Sequence, residues 1–113
     1  MMLALVLWLQ LSGGQTGEKR EVRVEDGIVH VRAKQSCDVE LGDADRSRLA
    51  AALRKIHPGN WKPKYVDPGC RDCKLTTLQV GDRTVAWDDA SELKVPLDAR
   101  GVALAMRDLF NCQ

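Results

Sequence analysis

Aromatic side chains are scarce in this chain: three tryptophans, one tyrosine and one phenylalanine among 113 residues. A core built from it must draw on aliphatic residues and on most of the rings available. Only two histidines are present, His30 and His57, which leaves little material for general acid–base catalysis. His30 falls on a charged strand face and His57 at a helix end before Pro58, positions that suit surface residues. Ser36, Ser47 and Ser91 sit in no nucleophile-elbow context, and there is no glycine-rich phosphate cradle. Neither sign of charge is in excess: 17 basic and 16 acidic residues give a net charge of +1. That balance removes the electrostatic argument for nucleic acid or an anionic membrane as partner. The apolar run Leu3–Leu11, interrupted only by Gln10, is too short to span a bilayer, which takes roughly 20 residues.

What is present begins with that run. Ser12, Gly13 and Gly14 follow it, as small residues follow the apolar region of a signal peptide at its cleavage site. No Lys or Arg precedes the run, and no Cys follows it that would carry a lipid anchor. The expected organisation is a signal peptide over residues 1–14 and one domain over 15–113, secreted or periplasmic, with no stable membrane insertion after cleavage. The mature chain is long enough for one domain and too short for two.

Two hairpins are legible. In "REVRVEDGIVHVRAK" the turn is Asp26-Gly27, a pair that tolerates positive φ. Folding there sets Val24 opposite Val29 and Val22 opposite Val31, with Glu21 meeting Arg32 and Arg23 meeting His30 on the other face. Continued parity puts Cys37 on the valine side. In "KLTTLQVGDRTVAW" a turn at Gly81-Asp82 sets Val80 opposite Arg83, Leu78 opposite Val85 and Thr76 opposite Trp87. "GDADRSRLAAALRKIHPGN" has helical spacing, with Asp43 or Asp45 available as cap and Leu49, Ala52, Leu53 and Ile56 on one face. "PLDARGVALAMRDLF" is a second helix with Val102, Met106, Leu109 and Phe110 on its core stripe. "DDASELKV" reads as a polar connection. The order β-β-α-β-β-α predicts an α+β two-layer sandwich: a four-stranded, mainly antiparallel sheet with two helices on one face.

Four cysteines remain to be placed: Cys37, Cys70, Cys73 and Cys112. Cys70-Arg71-Asp72-Cys73 has the spacing of a redox motif, but no helix follows to stabilise a thiolate, and Asp72 disfavours one. An all-cysteine zinc site needs four converging thiolates, and only one pair has knuckle spacing. Four cysteines in a short exported chain imply two disulfides with three possible connectivities. A four-residue turn brings its ends within disulfide reach, which favours Cys70–Cys73 and hence Cys37–Cys112. The two crossed pairings stay open.

The remaining candidates are surface features. Asp88, Asp89 and Glu92 make an acidic cluster that suits a cation, a basic partner or a solvated loop. "DADRSR" starts like a calcium loop but lacks the glycine and distal glutamate of one. "NWKPKYVDPGC" sets Trp61 and Tyr65 among Lys62, Lys64 and two prolines, the composition of a partner-contact loop. The same rings would also serve to cover a sheet edge or helix end.

Through "RLAAALRKI", "LTTLQVGDRTVAW" and "VALAMRDLF" the layout resembles the emfourin-type small secreted metalloprotease-inhibitor domains. It departs from them in lacking Gly-Gly after "EVRV" and in carrying four cysteines. The resemblance implies a protease as partner and transfers no functional residue. The residues together describe a small exported, disulfide-stabilised module that binds another protein, with no enzyme activity, cofactor or metal. The alternative is a thiol–disulfide or Cys-based metal-binding protein using Cys70 and Cys73.

Overall fold

The Asp26-Gly27 turn shows how closely local chemistry sets this fold. Both residues take positive φ, 53° and 75°, the requirement of a type I′ hairpin turn, whose twist matches that of the strands it joins. The strands it connects pair Val24 with Val29, Val22 with Val31, Arg23 with His30 and Glu21 with Arg32, the register expected from the sequence. The second hairpin, turning at Gly81-Asp82, likewise pairs Val80 with Arg83, Leu78 with Val85 and Thr76 with Trp87.

The computed structural model describes residues 6–14 and 17–112. Its strands are β1 (Leu7–Gly13), β2 (Glu18–Glu25), β3 (Ile28–Arg32), β4 (Cys37–Glu40), β5 (Lys64–Tyr65), β6 (Lys74–Val80) and β7 (Arg83–Asp88). They form one open sheet in the order β4-β3-β2-β1-β6-β7-β5. Every neighbouring pair is antiparallel except β5 with β7. Helix α1 (Asp43–Leu53) connects β4 at one edge to β5 at the other, through a short 3-10 turn at Pro58–Asn60. A second 3-10 segment, Asp89–Lys94, leads into α2 (Leu97–Arg107). Among the described residues no helix is long and apolar enough to cross a membrane.

Seven strands stand where four were expected. Two of the additions, β4 and β5, are short edge strands inside segments read as continuations or loops. The third is β1, and it is central. The run expected to be a signal-peptide core supplies, from Leu7 onward, the middle strand of the sheet; residues 1–5 lie outside the described residues. All seven residues of β1 pair on both sides, with β2 and with β6. Leu7 and Leu9 are fully buried, while Trp8 turns to the opposite face and donates its indole N–H to Glu21 Oε2 at 3.1 Å.

Alternation puts Leu7, Leu9, Val22, Val31, Leu78 and Trp87 on one face, where they meet Leu49 of α1 and Val102 and Met106 of α2 in a single core. Helix α1 starts from Gly42 without a side-chain cap. Asp43 and Asp45, expected as caps, lie in its first turn, and the Asp45 carboxylate is taken by Arg48. Cys37 opposes Val31 and is bonded to Cys112 after α2, with Cα atoms 5.8 Å apart and 75 residues of separation. In the chain-entropy account a closure of that length contributes roughly 4 kcal/mol.

Candidate functional sites

Three places were singled out by sequence or are brought out by the fold. The first is the Cys70–Cys73 turn, which carries a disulfide with Cα atoms 6.0 Å apart. Both bridges therefore follow the favoured pairing. The turn is held by bonds that do not depend on its sulfurs. Asp67 Oδ1 accepts from the Gly69 amide at 2.9 Å, and the Asp67 carbonyl from the Cys70 amide at 3.0 Å. The Cys73 carbonyl accepts from the Gly14 amide at 3.3 Å. It lies so close to β1 that a Cβ at Gly13 would come within 2.9 Å of it.

Against this turn lies Asp88, the last residue of β7. It is 6 % exposed, and its carboxylate accepts from the Asp67 amide at 2.7 Å and the Ser91 amide at 2.9 Å. The Asp67 amide above all, together with Ser91, outweighs the cost of burial and holds the Asp88 carboxyl below the ordinary aspartate value. A carboxylate oxygen of Asp88 and the sulfurs of Cys70 and Cys73 all lie within 4.8 Å of one another. The acidic cluster is thus not a uniformly solvated loop: Asp88 is buried, and Asp89 accepts the Lys74 amide at 3.2 Å. Beside the turn is an open cleft of about 980 Å³, lined by Arg20, Arg71, Lys74 and Arg107 but also by Asp72, Asp89 and Glu92. Its mixed charge selects neither anion nor cation.

The second place is the Trp61–Tyr65 loop. Trp61 is 9 % exposed and belongs to the core. Its indole N–H lies 3.2 Å from both carboxylate oxygens of Asp98 on α2. Burial pushes the Asp98 carboxyl up, but the His57 amide, the Trp61 indole and the Ala99 amide outweigh it and leave the pKa below the ordinary value. Tyr65 is half-buried in β5, and its hydroxyl accepts the Lys62 amide at 2.9 Å. Lys62, Pro63 and Lys64 between the two rings are exposed. Trp61 covers the start of α2 and Tyr65 the sheet edge, so the loop's exposed surface is mainly its lysines and Pro63.

The third place was not singled out from the sequence. Leu93, Leu97 and Leu104 are 88 %, 75 % and 61 % exposed. Leu97, Gly101 and Leu104 follow one another at helical spacing on the outer side of α2, away from its buried Ala99, Val102, Ala103 and Met106. This ridge borders a groove of about 670 Å³ between α1 and α2, floored by Ala51, Ala52, Gly101 and Ala105. Arg48 and Asp108 on its rim neutralise each other at 2.8 Å. Among the described residues Lys55, Arg100 and Arg107 around the ridge form no ion pair.

The histidines form no catalytic array. His30 Nδ1 lies 2.8 Å from Asp38 on the open sheet face. That bond, with the Arg32 guanidinium 3.0 Å away, holds the Asp38 carboxyl below its usual range. His57 is exposed, and its backbone amide serves Asp98 at 2.7 Å. Ser91 is buried. The chain matches no protein-family model and no curated protein.

Proposed function

We propose that this protein is a small disulfide-stabilised module that binds another protein through the outer ridge of α2. The observation that carries the reading is the exposure of Leu97 and Leu104, which line the α1–α2 groove together with Gly101. Isolated apolar residues on a surface are ordinary, but a contiguous ridge over a small-residue groove is the form of a contact surface. Alanine and glycine on the floor permit close approach, and leucines on the rim supply the apolar area. Lys55, Arg100 and Arg107, which form no ion pair among the described residues, lie beside the ridge, so the fitting partner segment is amphipathic, with apolar side chains flanked by carboxylates. Metalloprotease inhibition, which the family resemblance implies, is one form of this reading. The two disulfides fit an oxidising compartment.

The test is binding by the wild type and by Leu97→Glu/Leu104→Glu. Envelope or culture-supernatant proteins are captured by each, and the captured partner is purified and titrated; a metalloprotease panel is assayed in parallel. The reading expects a partner whose affinity falls at least ~10-fold in the double variant, since interface anchors are often worth ~2 kcal/mol or more, with the circular dichroism spectrum unchanged. Equal affinity for both proteins overturns it. Concentration-dependent dimerisation of the wild type, lost in the variant, also overturns it, because a second copy would then cover the ridge.

A further inference from the structure

We propose that Cys70, Cys73 and Asp88, when the two cysteines are thiols, form a three-ligand site for a zinc-class divalent ion. The structure places one Sγ from each cysteine and a carboxylate oxygen within 4.8 Å of one another. Tetrahedral zinc with Zn–S near 2.3 Å and Zn–O near 2.1 Å sets its ligand atoms roughly 3.5–3.8 Å apart, so small side-chain rotations bring the three atoms to coordinating distance. Two thiolates with one carboxylate are a borderline-soft donor set, which suits zinc over magnesium or calcium.

The two sulfurs are joined in the disulfide, and the fold brings Asp88 to them. Asp88 closes the β6–β7 ladder opposite Leu75, and Cys73 lies two residues before Leu75. The Asp88 carboxylate is oriented by two backbone amides, from Asp67 and Ser91, as the outer-shell partners of metal-binding carboxylates are. Oδ2 accepts from the Asp67 amide and Oδ1 from the Ser91 amide. The Cys70 end of the turn is fixed through Asp67 and the Cys73 end through Gly14. These bonds do not involve sulfur, so they can hold the turn beside Asp88 after the S–S bond is broken. The fourth position is left to water; Arg71 and Lys74 flank the cysteines, and with Asp72 between them these neighbours sum to +1 against the excess negative charge.

The chemistry balances simply. A phosphine attacks one sulfur and breaks the S–S bond; one water then supplies the oxygen of the phosphine oxide and the two protons of the thiols. Binding of Zn²⁺ then forms two Zn–S bonds and one Zn–O bond and releases the two thiol protons to solvent.

The test uses the full chain, reduced with a phosphine under anaerobic conditions and titrated with Co²⁺ and then Zn²⁺. The expected result is one Co²⁺ per chain, with thiolate-to-cobalt charge-transfer absorption that Zn²⁺ abolishes. Cys70→Ser and Cys73→Ser should each remove that absorption, and the oxidised protein should show none. Asp88→Asn should weaken binding ~10-fold or more. X-ray absorption of the zinc-loaded wild type gives a readout that no variant's folding can confound: two sulfur ligands, the rest oxygen. No charge-transfer band in the reduced wild type overturns the site. So does unchanged affinity in folded Asp88→Asn, or a four-sulfur shell, which would assign the metal to all four cysteines.

Discussion

Deleting residues 1–14 removes β1 and leaves the chain that signal-peptide cleavage would produce. The structure allows the cost to be worked out. Leu7 and Leu9 are fully buried, and burial of a leucine is worth about 1.5–3 kcal/mol, so these two side chains account for ~3–6 kcal/mol. The deletion also strips the ladders on both sides of β1 and leaves β4-β3-β2 and β6-β7-β5 as separate three-stranded halves, each with a new unpaired edge. A domain of this size is stable by only about 5–15 kcal/mol in total. The 15–113 fragment should therefore lack a cooperative urea transition and dispersed amide resonances. A graded version is Leu9→Ala, expected to cost about 2–5 kcal/mol and to lower the thermal midpoint on the order of 10 °C. The reasoning is refuted if fragment 15–113 unfolds cooperatively at the midpoint of the full chain. Residues 7–13 would then be dispensable to the fold, and an N-terminus near Gln15 on protein from its native source would mark them as a leader.

Gly27→Val forces a β-branched residue into a position at φ 75° and should destabilise by about 1–3 kcal/mol, read as a lower urea midpoint; an unchanged midpoint would place the turn elsewhere. Asp98 has its pKa lowered by folding, so its contribution is present above the unfolded value of about 3.9 and is lost as pH falls through the folded value. The wild-type thermal midpoint should consequently drop more steeply than that of Asp98→Asn between pH 5 and pH 2. Parallel curves would show that the His57 and Trp61 bonds to Asp98 do not depend on its charge.

Both hairpins could be read because two independent signals agreed. The turn residues fixed the hinge, and the valines on either side then had only one register that put them on a common face. The strand β1 carries the same period-2 signal, since Trp8, Gln10 and Ser12 alternate with Leu7, Leu9 and Leu11. It was hidden because tryptophan counts as apolar. With Trp8 included, the stretch reads as one unbroken greasy run, although its indole faces the open side of the sheet and bonds to a glutamate. The ridge on α2 was obscured in a similar way. The stripe Val102, Met106, Leu109 and Phe110 accounts for a core face by itself, so the second i, i+4, i+7 set of Leu97, Gly101 and Leu104 carries no separate signal in the sequence. The stripe of Ala99, Val102, Ala103 and Met106 is buried in the core, and Leu97 and Leu104 are left exposed on the other side.

Asp88 was within reach of the same pattern reasoning. The register that pairs Thr76 with Trp87 continues by one step to Leu75 opposite Asp88, which brings the carboxylate to the strand end that Cys73 enters. What sequence could not supply was its burial, which depends on the Asp67 and Ser91 amides closing over it. The redox state of that turn and the fate of residues 1–14 are also linked. In an oxidising compartment the Cys37–Cys112 bridge adds its roughly 4 kcal/mol and the Cys70–Cys73 turn is a closed staple. In a reducing one the long closure is lost, β1 with its two buried leucines carries a larger share of the stability, and the freed thiols face Asp88. The middle strand β1 is held by ladders and leucines and by no sulfur, so the stability left in a reduced chain rests on it and the core it joins.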